Sequence, residues 1–480
     1  MRTRIKVWTF CAVLSVSAFG YADSVPDVLT RGAIDRLPVQ EMGAEAFSNP
    51  ALMPLKREWS VSRAEISFER DVRRKAIIPQ LGRGKGVAGL SADAYIKTGK
   101  AAIYGDAGYE CGTLFDMQWN ECGEYEKVYP YVIATEVGGN LRMEKYLFHG
   151  GYSRLGDKIS WGVEGGYTAL LSYRNVDPRP KNTSGDLRIK AGIGWHAPFG
   201  YVAAIAGEFG KYRLSTDMEF MSEMGEAKVY HMTGLGQHYV RFAGQGKNVY
   251  SDSYTWGVSL NIAPTEISGL YLSGRFQRET MEHVIVDLNK LPMASLWQNT
   301  LGLEATWRQR IGWHTLAAEA RYDWHRRHGT ENIFGDAASG SYPQIGSIEM
   351  YADNYYRAAG ELLWQYSPEF LHVWGRLTGD WLHSKQDYLS PRLTALSESW
   401  KLGLDAGADW RISPKISADI RGGVERRWRI SGEFPCLTTA SAEAGVAYAF
   451  NSKYALGLRI GYRHLSAYGN DYKIKLQFIF

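Results

Sequence analysis

The sequence predicts an all-β fold: a single transmembrane antiparallel up-and-down β-barrel of about 18 strands, with 16 or 14 as the neighbouring counts. Three observations predict it. Apolar and polar residues alternate two by two along most of the chain, as side chains do across a strand. The alternating segments are joined in turn by a tight turn and a longer loop. The last such segment runs to the final residue, the aromatic Phe480.

In that terminal strand Tyr472, Ile474, Leu476, Phe478 and Phe480 share one face, and Lys473, Lys475 and Gln477 share the other. One strand of this kind also fits a soluble sandwich; the repetition does not. Sixteen tryptophans, 30 tyrosines and 52 glycines suit many strands and interfacial aromatic girdles. A mean hydropathy of −0.30 is unlike that of helical membrane proteins. A net charge of +4 over 480 residues gives no electrostatic footprint for nucleic acid.

Residues 1–22 read as a secretory signal. Arg2, Arg4 and Lys6 precede an apolar core from Val7 to Phe19, and Gly20-Tyr21-Ala22 supplies the cleavage context. Export removes Cys11 and leaves Cys111, Cys122 and Cys436 in an oxidising compartment. Cys111 and Cys122 fall in one predicted outer loop, where they are either a disulfide or two free thiols. Residues 23–57 lack alternation and read as a periplasmic or lumen-entering segment; residues 58–480 form the barrel.

The strands follow in order. Trp59–Glu69, Leu90–Lys97 and Ala101–Tyr109 come first, the last two meeting at Thr98-Gly99-Lys100. Glu144–Tyr152 and Ile159–Leu171 meet at Leu155-Gly156-Asp157; 186–195 and Tyr201–Lys211 meet at Ala197-Pro198. After a long Met- and His-bearing loop (Met218, Met221, Met224, His231, His238) come Tyr254–Ile262, Leu270–Arg278, Leu301–Arg308 and Thr315–Trp324. Tyr355–Tyr366, Leu371–Trp381, Trp400–Trp410, Ile416–Trp428, Ala440–Phe450, Tyr454–Tyr462 and the terminal strand complete the set. An even number puts both chain ends on one side of the membrane, and closure leaves no strand edge unpaired. Tandem soluble sandwiches would need neither the turn and loop alternation nor the aromatic end.

The polar face is predicted to line the lumen with charges of both signs: Arg188, Lys190, Glu164, Glu319, Arg321, Arg376, Asp380, Asp405, Asp419, Arg421, Arg459 and Arg463. Such a face is either a polar pore or a bracing network of cross-strand ion pairs. His325-Arg326-Arg327-His328 is placed at the outer rim, as a receiver of anionic groups or a basic surface for outer-leaflet sugars. The Met and His loop reads as packing before metal ligation. The sequence has no GxSxG, HExxH, phosphate loop or dinucleotide fingerprint, and inward Ser160, Ser259, Ser417 and His372 form no motif. No catalytic residue, cofactor or metal is therefore expected, and the chain reads as a non-enzyme.

The signal, Phe47-Ser48-Asn49-Pro50-Ala51-Leu52, Tyr129-Pro130-Tyr131-Val132-Ile133-Ala134 and the aromatic end together resemble an uncharacterised barrel family of Bacteroidota outer membranes, known by a domain-of-unknown-function label. The resemblance implies an outer-membrane location, lipid and lipopolysaccharide around the barrel, delivery by barrel-assembly machinery, and a TonB-dependent receptor or lipoprotein as neighbour. Asn49, Pro50 and Ala51 are also similar to a stretch in long-chain fatty-acid transporters, whose N-terminal segment enters the lumen as a hatch; the similarity implies a plug. The resulting expectation is a passive or gated transporter of a small solute. A non-conducting surface-binding or scaffold partner of an uptake or secretion complex is the alternative, and a membrane-embedded hydrolase the third reading.

Overall fold

Phe480 and Ser62 exchange both backbone hydrogen bonds, at 2.9 and 2.8 Å, and so join the end of the chain to the first strand. The computed structural model describes residues 26–222, 225–337, 342–432 and 435–480. The segment expected to be a signal, with Cys11, and Met224 lie outside the described residues.

Eighteen strands form one sheet among the described residues. In chain order they are β1 Val61–Arg73, β2 Gly84–Thr98, β3 Ala101–Met117, β4 Gly139–Leu155, β5 Ile159–Tyr173, β6 Arg179–Ala197, β7 Tyr201–Glu219, β8 Asn248–Pro264 and β9 Gly269–Ile285. They continue as β10 Leu291–Ile311, β11 His314–Phe334, β12 Gln344–Tyr366, β13 Leu371–Tyr388, β14 Leu393–Ser413, β15 Ile416–Ser431, β16 Leu437–Ala449, β17 Ala455–Leu465 and β18 Gly469–Ile479. Each pairs antiparallel with its neighbours. β1 pairs with β18 in the register Ile66↔Leu476 and Arg70↔Tyr472, which closes the cylinder.

The faces separate as the two-residue period requires. On β18, Tyr472, Ile474 and Leu476 are exposed, and across the seam so are Ile66 and Phe68. Phe478 and Phe480 stand 5.6 Å apart on the same outer face, and Phe478 stacks on Tyr454. Trp161, Trp195, Trp307, Trp313 and Trp364 are exposed near one end of the barrel, and Trp400 and Trp428 farther along it. Aromatic side chains at two levels are what two membrane interfaces select.

The end that carries Phe480, the near end, has turns of two to five residues. The far end departs from the expected run of long loops. Only the connections 74–83, 118–138, 220–247 and 335–343 are long; 174–178, 286–290, 389–392 and 466–468 are tight. The strands themselves are longer than the sequence pattern suggested, nearly always on the far side. β12 has 23 residues, roughly 60 Å of height at a tilt of about 40°. A hydrocarbon band is about 25 Å tall, so beyond it the outer face no longer has to be apolar and the alternation fades. The rim is uneven, since β17 and β18 have 11 residues each against 21 in β10 and β11.

Candidate functional site

The interior is occupied by the chain's own segments, one at each end. At the near end residues 26–57 fold into α1 (Val28–Asp35) and three short 3₁₀ turns. Asp27 caps α1 by accepting from the Thr30 amide at 3.0 Å, and Pro38 and Pro50 begin two of the turns. Asn49 Oδ1 accepts from the Ala51 amide at 3.0 Å. Asn49, Pro50 and Ala51 lie buried against β5 and β6: a Cβ on Gly162 would sit 2.4 Å from the Pro50 carbonyl oxygen, and one on Gly192 would sit 2.1 Å from Asn49 Oδ1. Glycine is required at both places because the segment passes that close to the wall.

The segment touches the wall around its circumference. Lys190 on β6 donates to the Ser48 carbonyl at 3.1 Å, and Asn261 on β8 to the Glu45 carbonyl at 3.0 Å. Glu319 on β11 accepts from the Gly43 amide at 2.7 Å, and Arg376 on β13 lies 3.2 Å from Glu41. Arg36 reaches Asp409 at 3.2 Å and Asp419 at 3.7 Å, while Arg421 donates to the Arg36 carbonyl at 3.1 Å. Asp35 holds Arg63 of β1 at 2.6 Å, and Tyr95 of β2 donates to the Met53 carbonyl at 2.8 Å. Between these anchors Val28, Phe47, Ala51 and Leu52 pack on wall residues Ala102, Ala204, Ala263, Ala449 and Ala455.

Of the twelve charges predicted for the lumen, Lys190, Glu319, Arg376, Asp419 and Arg421 thus meet the segment directly. The rest are tied mainly to one another or to neighbouring strands. Glu164 accepts from the Tyr104 hydroxyl at 2.9 Å and lies 3.7 Å from Lys190. Arg188 pairs with Glu208 at 3.2 Å, and Arg321 lies between Glu304 (2.9 Å) and Glu319 (2.6 Å). Asp380 accepts from Arg357 at 2.7 Å, and Asp405 lies 3.5 Å from Arg376. Arg459 joins Asp419 (3.0 Å) and Glu443 (2.9 Å), and Arg463 pairs with Asp471 at 2.6 Å.

At the far end the two longest connections fold inward and pair. Strand Val132–Thr135 runs antiparallel to Val229–Gly234, which pairs in turn with Gln237–His238. This small sheet is fastened by a buried polar cluster. Glu121 lies 3.0 Å from Arg174, its carboxylate accepts from Thr135 at 2.6 Å, and Asn182 donates to its carbonyl at 2.9 Å. Burial raises the Glu121 carboxyl above its ordinary range, against the Arg174 charge and the Thr135 hydrogen bond, which lower it. Toward the other wall Tyr129 donates to Gln386 at 3.0 Å, Arg327 donates to the Tyr129 carbonyl at 2.7 Å, and Thr233 meets Tyr388 at 2.9 Å. The inner sheet therefore packs over one side of the barrel, from β5 round to β13. Leu214, Met218, Met281 and Leu296, apolar and inward, form its seat.

Neither seat follows from the strand alternation alone. The available signal was a break in the pattern: inward positions near the turns are alanine, and inward positions on the far halves of β7, β9 and β10 are aliphatic, where a bare wet lumen calls for polar groups.

Two expectations need correction: the shared outer loop of Cys111 and Cys122, and the strand end at the basic quartet. Cys111 and Cys122 are free thiols. Cys111 shares the outward parity of the exposed Ile103, whereas Cys122 is buried in the inner segment, so the barrel wall separates them. Burial pushes the Cys122 thiol up to about 12. The basic quartet does not end its strand, because β11 continues to Phe334 and alternation divides the four. His325 (3.6 Å from Asp353) and Arg327 face inward, while His328 lies outward, stacked on Trp297 at 4.3 Å. His231 is buried with Nε2 2.8 Å from the Gln245 carbonyl, and burial lowers its pKa.

Among the described residues no cluster of three or more His, Cys, Asp or Glu side chains could hold a metal ion. A buried Ser251–His283 pair at 3.0 Å has no carboxylate partner on His283 Nε2 and lies under Tyr131, without the orienting third group of a nucleophilic triad. The interior offers mixed charge, hydrogen bonds and two inner segments that occupy it.

Comparison with solved structures finds low-identity likenesses among barrels. They include the ferric enterobactin receptor PfeA of Pseudomonas aeruginosa (10% identity, 88% of this chain and 80% of that chain, TM-score 0.40). The ferric-catecholate import receptor Fiu of E. coli K12 gives 9% identity, 88% and 82% coverage and a TM-score of 0.43. The siderophore receptor PirA of Acinetobacter baumannii gives 7%, 88%, 81% and 0.39. No curated protein matches the chain. The model of a family of unknown function, DUF6850, matches residues 50–441, and the chain belongs to that family.

Proposed function

We propose that this chain is an outer-membrane transporter for a small polar or charged solute, with the near end in the periplasm and the passage gated by its own two inner segments. The observation that carries the reading is the belt of contacts made by residues 26–57 with strands on every side of the near end. A passive pore needs no such seal. The contacts are largely ion pairs and hydrogen bonds to backbone carbonyls, which water can replace when the segment leaves, so the seal is reversible in principle. A lumen lined by paired charges of both signs gives an open passage a wet wall without strong anion or cation preference. The role agrees with the hatch implied by the Asn49-Pro50-Ala51 similarity.

A second reading follows from the completeness of that seal. A barrel closed at the near end by buried ion pairs also serves as a non-conducting partner of an uptake complex, with a TonB-dependent receptor or a lipoprotein beside it. Planar-bilayer conductance separates the two. Ion flow that appears when residues 26–57 and 220–247 are both deleted supports the transporter; silence with and without them supports the scaffold.

A further inference from the structure

The wall is lowest where the barrel closes. On that side β17 ends at Leu465 and β18 begins at Gly469, and both stop within a few residues of the outward, exposed Tyr462 and Tyr472. The outward residues that follow are basic. Arg70 is exposed and stands in register with Tyr472; His464 is exposed and in register with Asn470; Arg426, two strands further round, is exposed with its guanidinium 5.6 Å from the Trp428 ring. Over the outward positions of β15, β16, β17, β18 and β1 there is no carboxylate: Tyr472, Asn470, Ala440, Ala442, Thr438 and Val72 fill the places around the three basic groups. Arg74 and Lys75, also exposed, continue the charge onto the adjoining far-end connection.

We infer that this patch binds the phosphate of an anionic lipid headgroup in the leaflet surrounding the far end. Height on the wall selects the occupant. Arg70 and His464 lie two residues beyond the last exposed apolar or aromatic side chain of their strands, Phe68 and Tyr462, and Arg426 lies among the exposed Val424, Trp428 and Ile430, the level at which interfacial aromatics meet headgroups. β17 and β18 end one residue beyond His464 and Asn470, so on these two strands little protein surface stands clear of that level for a soluble partner to grip. Five strands at about 4.8 Å spacing span roughly 20 Å, enough for more than one phosphate. Guanidinium groups suit phosphate oxygens through paired N–H donors, and the exposed imidazole of His464 stands beside them, 2.7 Å from Asn470 through Nδ1.

The inference rests on the membrane reading of the barrel and is independent of transport. The test reconstitutes the full chain in phosphatidylcholine vesicles and measures the association of spin-labelled phosphatidylglycerol relative to spin-labelled phosphatidylcholine. The wild-type chain should prefer the anionic lipid, and R70Q/R426Q/H464Q should lower that preference by about fivefold or more. R70K/R426K should retain most of it, and R278Q/R326Q, which removes outward charge from β9 and β11 on the opposite wall, should leave it unchanged. Each variant is first shown to be a folded barrel by its heat-modifiable migration on a gel. Equal association of both lipids with the wild type, or an unaltered preference in the folded triple variant, overturns the proposal. Failure of the chain to insert at all overturns the membrane reading instead.

Discussion

Arg36 and Asp409 meet at 3.2 Å inside the near end of the barrel, the first donated by the N-terminal segment and the second by β14. Both side chains are almost completely buried, at 9% and 3% exposure. Burying an ion pair gains little over an apolar contact, but removing one partner strands a charge and costs about 3–5 kcal/mol. The pair is therefore a sensitive point at which to release the segment without touching the strand ladder.

R36Q and D409N should loosen residues 26–57 while the barrel survives. The expected result is faster protease cleavage within that segment, with unchanged heat-modifiable migration. Cleavage at the wild-type rate would mean that Arg36 and its partners are not an anchor.

Glycine at 192 makes a second, steric prediction. G192A places a methyl group on the Asn49 amide oxygen, at a position where the backbone of β6 is otherwise ordinary. Overpacking of this kind costs about 1–3 kcal/mol, and here it falls mainly on the docked state, since the nearest wall atom, Ala206 Cβ, is 3.2 Å from the new methyl group. The variant should resemble R36Q in protease sensitivity. G207A, whose new Cβ meets nothing within 4 Å, should behave as the wild type.

The far seal should respond to pH through Glu121. Its carboxyl titrates above the ordinary glutamate value of 4.5 when docked, mainly through burial. The docked state thus holds its proton over a window in which the released state has lost it. Docking of residues 118–138 is strongest below that window and weakens as pH rises through it. E121Q should flatten the dependence, and R174A, which removes the charge opposing the shift, should widen the window. Spin-label mobility at residue 133 against pH reads the effect; a wild-type profile independent of pH contradicts it.

Thiol chemistry reports the same seal. Without reductant, Cys111, Cys122 and Cys436 should all titrate as free thiols once the protein is denatured. In the folded chain maleimide should label exposed Cys436 quickly and buried Cys122 slowly. R174A should speed labelling of Cys122. A Cys111–Cys122 disulfide in the purified chain would contradict the opposite-sided placement of the two.

All eighteen strands were legible in the sequence, because the hydrocarbon band imposes a strict period on every one of them. Their far ends were not legible. Residues such as Ile285, Ser295 or Thr330 lie past the band, where neither face is obliged to be apolar, and the expected loops there are largely strand. Inward parity was equally readable, so Glu319 and Asp419 could be assigned to the lumen. Their partners were not readable, since Gly43 and Arg36 reach them from 276 and 383 positions away in sequence, within a segment that has no period of its own. The inner sheet was hidden for the same reason. Tyr131 and Ile133 sit in what composition presents as a loop, and only the apolar seat on β7, β9 and β10 hints at something to be covered.

The most direct test of a self-gated passage is a reversible lock. N49C/G192C joins the segment to the wall where the two already touch, and conductance is recorded before and after adding reductant in a background lacking residues 220–247. With the disulfide formed the barrel should remain silent, and on reduction it should show discrete openings like those of the unsubstituted background. Equal conductance in the oxidised and reduced states would contradict the gate.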